Sequence, residues 1–265
     1  MARQSAPTLA RPRSAPRLSP AWRGGLLIGV GIFAALGLLY VGARETPVFA
    51  LRTVEVQGAP PEVRATILHE VEAMQGTSLV SLDGGELVRR LEALPSVQSV
   101  TYDRAFPHTL RLVVQPEEAV AVANQASALW IVSVRGRVIA RTTSGDAPDL
   151  PRIRYRQETP LAAGEFVADP GTKTVLAALA EAPKHMRLPV HGARLEEGEL
   201  KLVLTGEGGT RPVLLLGEPV DVRTKLLVAT LVLRQLGADE LAALTYIDVS
   251  LPDRPVASTN PQVSG

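Results

Sequence analysis

The sequence contains no cysteine. This absence excludes disulfide bonds, thiolate metal ligands and a cysteine nucleophile throughout the chain. Catalytic motifs are missing as well, because no GxSxG, SxxK or phosphate-binding-loop pattern occurs, and no second histidine stands four residues from His69. The sequence therefore predicts no catalytic residue, no metal site and no bound cofactor.

Acidic residues are absent from the first 23 positions, which carry five arginines. The rest of the chain carries 23 basic and 27 acidic residues, and this mild acidity argues against nucleic acid as a partner. The basic leader suits anionic lipid headgroups. Because it is rich in proline, serine, alanine and arginine, it cannot bury enough apolar surface to fold, and we expect residues 1–23 to be a disordered tail.

A run of 20 residues without a charge follows at 24–43. A helix of this length, at about 1.5 Å per residue, spans roughly 30 Å, the hydrocarbon thickness of a bilayer. The preceding arginines put the N-terminal tail in the cytoplasm and the rest of the chain outside. We predict a single-pass transmembrane helix. The alternative is a cleaved signal peptide, with small-residue sites at 41–43 and 48–50.

Three residues of this segment are candidate anchor residues. Trp22 stands at the boundary, where its amphipathic ring suits the membrane interface. Gly25 and Gly29 form a GxxxG pair, and small residues at this spacing let membrane helices approach closely. Such pairs also arise by chance in glycine-rich spans, so a helix–helix contact is one of two interpretations.

Hydrophobic periodicity after the anchor predicts strand, helix, helix, strand, strand. Pro60 and Pro61 suit the start of the first helix, and Asp83 with Glu86 is spaced as a capping box at the start of the second. The five elements are expected near 51–57, 61–75, 84–94, 97–104 and 108–114.

The following block is rich in alternating segments that predict an antiparallel sheet with two helices. Asp169 with Pro170 marks the start of one helix, and a long amphipathic helix is expected over 219–236. The polar residues 259–265 predict a flexible tail. Strands are expected at 119–123, 128–134, 138–141, 190–195, 199–205, 211–216, 244–249 and 254–257.

Four segments between about residues 48 and 257 resemble a known family, and two patterns within them are the most specific. LEALPSVQSVTYDRAFPHTLRLVV, at 91–114, is similar to the POTRA domain of the bacterial division family FtsQ, called DivIB in Gram-positive bacteria. LTYIDVSLPDRPVA, at 244–257, resembles the closing pattern of that family. The chain departs from the pattern at 117–120, where the family often has an arginine and a proline, and at Ser133, where an aspartate is common.

The resemblance implies an α+β fold with a POTRA domain at 48–116 and an FtsQ-type β domain at 117–258. It implies a non-enzymatic scaffold in the cytoplasmic (inner) membrane at the division septum. Its partners would be FtsB and FtsL (DivIC) and other divisome membrane proteins, and it would help to recruit septal peptidoglycan synthesis. Two alternatives stay open, namely an exported POTRA-type secretion or assembly component and a cell-wall hydrolase.

The last strand is the candidate partner-binding site. It is short and follows another strand, so we expect it at a sheet edge, where unpaired backbone groups can accept a partner segment by strand addition. A second, weaker candidate is the POTRA surface at Phe106 and Pro107. The residues predicted for the edge are Tyr246, Asp248, Ser250, Leu251, Arg254 and Val256, with Ile247 and Val249 expected in the core.

Overall fold

The computed structural model describes residues 20–45, 47–126, 128–156 and 160–259. Most of the predicted N-terminal tail and all but the first residue of the C-terminal tail lie outside these residues. The first element, α1, is a helix over Pro20–Glu45 and contains the predicted span 24–43. Within the described residues, no helix combines the length and the apolar character that crossing a membrane requires.

The three candidate anchor residues all belong to α1. The side chain of Trp22 and the surroundings of Gly25 lie outside the described part of the chain. Gly29 is described, and a Cβ atom at this position would meet no other described atom within 4 Å. The membrane-spanning role of this segment stays a prediction.

The next elements form a first unit with the predicted order strand, helix, helix, strand, strand. Its three-stranded sheet has the order β1-β3-β2, in which β3 pairs with β1 in parallel and with β2 in antiparallel. Its helices bury Ile67, Val71, Leu87 and Leu91 against the sheet. The bounds are β1 Thr53–Gln57, α2 Pro61–Glu72, α3 Gly84–Glu92, β2 Val97–Ala105 and β3 Thr109–Pro116.

The start of α3 agrees only in part with the capping box that the sequence predicts. One carboxylate oxygen of Asp83 accepts hydrogen bonds from the backbone N–H groups of Gly85 and Glu86, at 2.9 and 3.1 Å. These bonds lower the pKa of Asp83, the bond from Glu86 having the larger effect. The Glu86 carboxylate pairs with Arg89 one turn later, whereas the predicted capping box has it reach back to Asp83.

The second unit is a nine-stranded sheet with helices packed on one face. Its strand order is β12-β11-β10-β9-β8-β7-β4-β5-β6. The strands are β4 Ala119–Gln125, β5 Ala128–Ser133, β6 Val138–Thr142, β7 Arg152–Arg154, β8 Val190–Glu196, β9 Glu199–Leu204, β10 Val213–Gly217, β11 Tyr246–Asp248 and β12 Val256–Ser258. The helices are α4 Pro170–His185, α5 Val222–Gln235 and α6 Ala238–Ala242.

The prediction of an antiparallel sheet with two helices was wrong in two respects. The sheet is mixed, because the pairs β4–β7, β7–β8 and β10–β11 are parallel. Parallel neighbours need a crossover, and here α4 connects β7 to β8 while α5 and α6 connect β10 to β11. The short strand β7 and the short helix α6 were both missed, since neither is long enough to show a period.

A second hydrophobic core lies between this sheet and its helices. It holds the alternating leucines of β9 and β10 together with apolar residues of α4 and α5. Ile247 is fully buried in it, and so is Val249 just after β11, as predicted. Residues of this core include Leu176, Leu179, Leu200, Leu202, Leu204, Leu214, Leu216, Leu226 and Leu233.

Candidate partner-binding edge

Strand β12 is the last strand of the nine-stranded sheet, so the predicted edge position is confirmed. It pairs with β11 in antiparallel register, with Val256 opposite Asp248 and Ala257 opposite Ile247. A terminal strand can accept a further strand on its outer side, and no strand of the described residues lies beyond β12. The arrangement can therefore extend the sheet by one strand from a second molecule.

The two faces of this edge differ in character. Ile247 is fully buried and points toward the helices. Tyr246 and Asp248 lie on the opposite face, because side chains alternate along a strand. Val256 is directly opposite Asp248, shares its face and is 50% exposed. The outer face of the edge thus presents Tyr246, Asp248 and Val256 side by side.

A short turn connects β11 to β12 and is held by the side chain of Asp248. Its carboxylate accepts hydrogen bonds from the backbone N–H and the hydroxyl of Ser250, at 2.8 and 2.6 Å. The backbone N–H of Arg254 donates to the carbonyl of Leu251 at 3.0 Å. Leu251 lies in this turn with 66% of its surface exposed, an apolar side chain that packing leaves available for a partner.

The six predicted residues therefore have different roles. Tyr246, Asp248 and Val256 share the outer face, and Leu251 is exposed in the turn. Arg254 is exposed but precedes β12, so its predicted place in a strand was wrong. Ser250 bonds to Asp248 and lies against Gly217, where an added Cβ would come within 2.9 Å of the Ser250 Cβ.

Two residues of the same face escaped the sequence analysis. Val213 is aligned with Tyr246 and Leu215 with Asp248 in the parallel pair of β10 and β11. Both are half-buried, whereas their neighbours Leu214 and Leu216 are fully buried. The alternation of β10 could have identified them, but only once the pairing with β11 was known.

The weaker candidate surface belongs to the other sheet. Phe106 and Pro107 lie in the turn between β2 and β3 of the first unit. The ring of Phe106 is 55% exposed and contacts that of Phe49 edge-to-face, with 5.7 Å between the ring centroids. This pair is an exposed aromatic feature of the first unit and does not adjoin β12 in sheet order.

A cavity of about 500 Å³ opens where β7 and β8 diverge, between these strands and the start of α4. Its charged lining consists of Arg152, Arg154, Arg156 and Arg194 together with Asp169 and Glu196. Arg194 pairs with Glu196 at 3.3 Å. Guanidinium groups bind carboxylates in a planar, bidentate geometry. Among the described residues, no group of three or more histidine, aspartate or glutamate side chains could hold a metal ion.

The first unit defines the class of protein. Its β-α-α-β-β order and its β1-β3-β2 sheet belong to residues 49–115, which match the family described as "POTRA domain, FtsQ-type". Residues 49–115 are therefore similar to a POTRA domain, of the subtype that the sequence resemblance indicates.

The relatives of the chain agree with this subtype. It is similar to the cell division protein FtsQ of Rhizobium meliloti, with 31% identity over 44% of this chain and 38% of that protein. It is also similar to FtsQ of Geobacter, with 30% identity over 51% of this chain and 50% of that protein. FtsQ of Caulobacter vibrioides shares 24% identity over 79% of this chain and 68% of that protein. The match thus spans half or less of the first two relatives, and all three relatives carry the name of the family that the sequence resembles.

Proposed function

We propose that this chain is a non-enzymatic scaffold of the bacterial cell-division machinery that binds a partner segment by strand addition at β12. The observation that carries the proposal is the position of β12 at the end of the sheet, beside an exposed apolar turn residue. The names of the relatives supply the link to cell division. The family resemblance supplies FtsB and FtsL (DivIC) as the partners.

The proposal includes a membrane anchor at α1. The run 24–43 has no charge, and all five arginines of the leader precede it. Large apolar side chains on the described part of α1 are exposed, among them Phe33 at 81% and Leu38 at 74%. Such exposure suits a lipid environment. The chain would then be a type II protein of the cytoplasmic membrane at the division septum, with both folded units outside.

Apolar contacts add a second element to partner recognition. Apolar side chains of the partner segment close to the β12 pairing would cover Leu251 and Val256.

The test is a binding measurement between the purified full chain and the exported parts of FtsB and FtsL. One variant ends after Ser250 and lacks β12, and a second carries Val256→Asp. Val113→Asp is the matched control, because Val113 is 52% exposed and lies on β3, in the sheet of the first unit. The proposal requires loss of binding in the first two variants and retention in the control. Full binding by the truncated chain would move the site away from β12.

A further inference from the structure

The buried side chain of Arg137, in the second unit, reaches the first unit. Arg137 follows β5 and is only 8% exposed. Its guanidinium donates hydrogen bonds to three backbone carbonyls of the first unit, those of Val97 at 2.7 Å, Glu92 at 3.0 Å and Ala93 at 3.2 Å. The partners lie 40 to 45 positions earlier in the chain, so these bonds are long-range links between the units.

The acceptors have a particular place in the first unit. Glu92 is the last residue of α3 and Ala93 is its C-cap. Carbonyls at the end of a helix have no partner within the helix and carry the negative end of its dipole. A guanidinium, planar and permanently charged, satisfies two such carbonyls and one at the start of β2 at the same time. Arg137 is thus matched to this helix end in both charge and geometry.

The backbone around Arg137 is fixed from three directions. Its N–H donates to the hydroxyl of Ser133 at 3.1 Å, and its carbonyl accepts from the N–H of Ser133 at 2.9 Å. Gly136 has φ +82, and a Cβ there would come within 2.7 Å of Val167. Arg137 also forms an isolated antiparallel bridge with Phe166. The second unit therefore holds the base of the side chain rigidly while its tip reaches the first unit.

A buried carboxylate balances the charge. The Glu117 side chain is fully buried, and one of its oxygens lies 4.0 Å from Arg137 and 3.9 Å from Arg135. Neither carboxylate oxygen has a hydrogen-bond donor within the described residues. Glu117 therefore serves here as a counter-ion, while the directed bonds of Arg137 go to the first unit. The ring of Phe166 covers both guanidinium groups, at 5.7 and 5.8 Å from its centroid.

We propose that Arg137, with Glu117 as its counter-ion, is an interdomain clasp that fixes the orientation of the second unit relative to the first. Two domains in one chain move relative to each other unless their interface restrains them. The three bonds of Arg137 supply a side-chain restraint at the end of α3, beside the backbone bond from the N–H of Glu117 to the carbonyl of Ser96 at 3.0 Å. The clasp does not depend on the proposed partner, because it is made within one chain.

The absence of native cysteine makes the clasp directly measurable. The substitutions Arg64→Cys on α2 and Gln235→Cys on α5 introduce two cysteines at exposed positions. Each cysteine can carry one spin label. The distance distribution between the labels is measured in the full chain, in detergent micelles. Arg137→Lys keeps the charge beside Glu117 but loses the guanidinium fork, and we expect about a twofold broader distribution.

The matched control is Arg135→Lys. Arg135 faces the same carboxylate and the same Phe166 ring, but the bonds to the first unit belong to Arg137. A narrow distribution in this control, with a broad one in Arg137→Lys, supports the clasp. An unchanged distribution in Arg137→Lys, or equal broadening in both, overturns it.

A double variant tests whether a broader distance distribution results from a loss of folding. Glu117→Gln with Arg137→Met leaves no unpaired charge in the buried position. Circular dichroism and thermal unfolding report whether both units stay folded. The clasp predicts two folded units with a broad distance distribution. Unfolding of this variant and of Arg137→Lys would overturn the proposal, because Arg137 would then be required for folding and not for orientation.

Discussion

The carboxylate of Asp248 accepts hydrogen bonds from both the backbone N–H and the hydroxyl of Ser250. These bonds define the turn that carries the chain from β11 to the edge strand β12. Asp248 also has its partner Val256 directly opposite in the sheet. The Asp248 side chain therefore lies on the outer face and also stabilises the turn in which Leu251 is exposed.

Removal of the Asp248 carboxylate should loosen the edge without unfolding the sheet. Bonds to a charged acceptor contribute about 1.5–3 kcal/mol each. We expect Asp248→Ala to raise the hydrogen-exchange rates of residues 250–258 by about tenfold or more, which corresponds to 1.4 kcal/mol. Hydrogen exchange read by mass spectrometry measures this. Asp253→Ala, an exposed aspartate in the same turn, is the control, and equal protection in both variants would contradict the role of Asp248.

Asp169 should give α4 a stability that depends on pH. Its carboxylate accepts from the hydroxyl and the backbone N–H of Thr172, at 2.6 and 2.7 Å, and the hydroxyl bond is the main cause of its lowered pKa. A carboxyl with a lowered pKa stabilises the fold above its unfolded value of about 3.9, and this contribution is lost as pH falls through the folded value.

The corresponding variant is Asp169→Ala. Loss of an N-cap costs about 1 kcal/mol, so we expect a loss of this size in urea unfolding at pH 7. The difference from the unmodified chain should shrink as the pH falls below about 4. Asp149→Ala removes an exposed loop carboxylate and should show neither effect. A deficit that persists unchanged at low pH would show that the charge of Asp169 is irrelevant to α4.

Close approach of two strands should make Gly192 intolerant of any side chain. Gly192 is the β8 residue that pairs with Arg152 of β7. A Cβ there would come within 2.5 Å of the Arg152 carbonyl oxygen, so backbone would have to move. We expect Gly192→Ala to lower the free energy of unfolding by about 1–3 kcal/mol. Gly145→Ala is the control, since a Cβ at Gly145 meets nothing within 4 Å. Equal unfolding free energies would refute the close contact.

Local signals in the sequence predicted most of the elements but not their arrangement. The caps Asp83 and Asp169 and the alternation of β9 are readable because they depend on neighbouring residues. Hydrophobic periodicity also predicted the element order of the first unit, and the shortness of the last strand predicted its place at a sheet edge.

The parallel pairs and the three-residue strand β7 were not readable in the same way. They are decided by tertiary pairing across crossovers, which leaves no period in a short segment. The role of Arg137 could not be predicted from the sequence either. Its exposed neighbour Arg135 has the same chemistry, and only the fold brings Arg137 to the end of α3. The chain departs from the family pattern at Ser133 and in the segment that begins at Glu117. Both Glu117 and Ser133 contact Arg137 in the folded chain.

Two exposed leucines provide the sharpest test of where the partner binds. Leu251 is 66% exposed in the turn before β12, and Leu231 is 56% exposed on α5, on the helix-covered side of the sheet. Because both are largely in solvent, replacement by serine should leave the midpoint of thermal unfolding nearly unchanged in each case. A central apolar anchor of an interface typically costs about 2 kcal/mol or more when truncated, so we expect Leu251→Ser to weaken binding of the proposed partner FtsB by about thirtyfold. Leu231→Ser should bind as tightly as the unmodified chain. Calorimetry on the full-length variants measures both affinities, and the opposite pattern would place the partner on the helical side of the sheet.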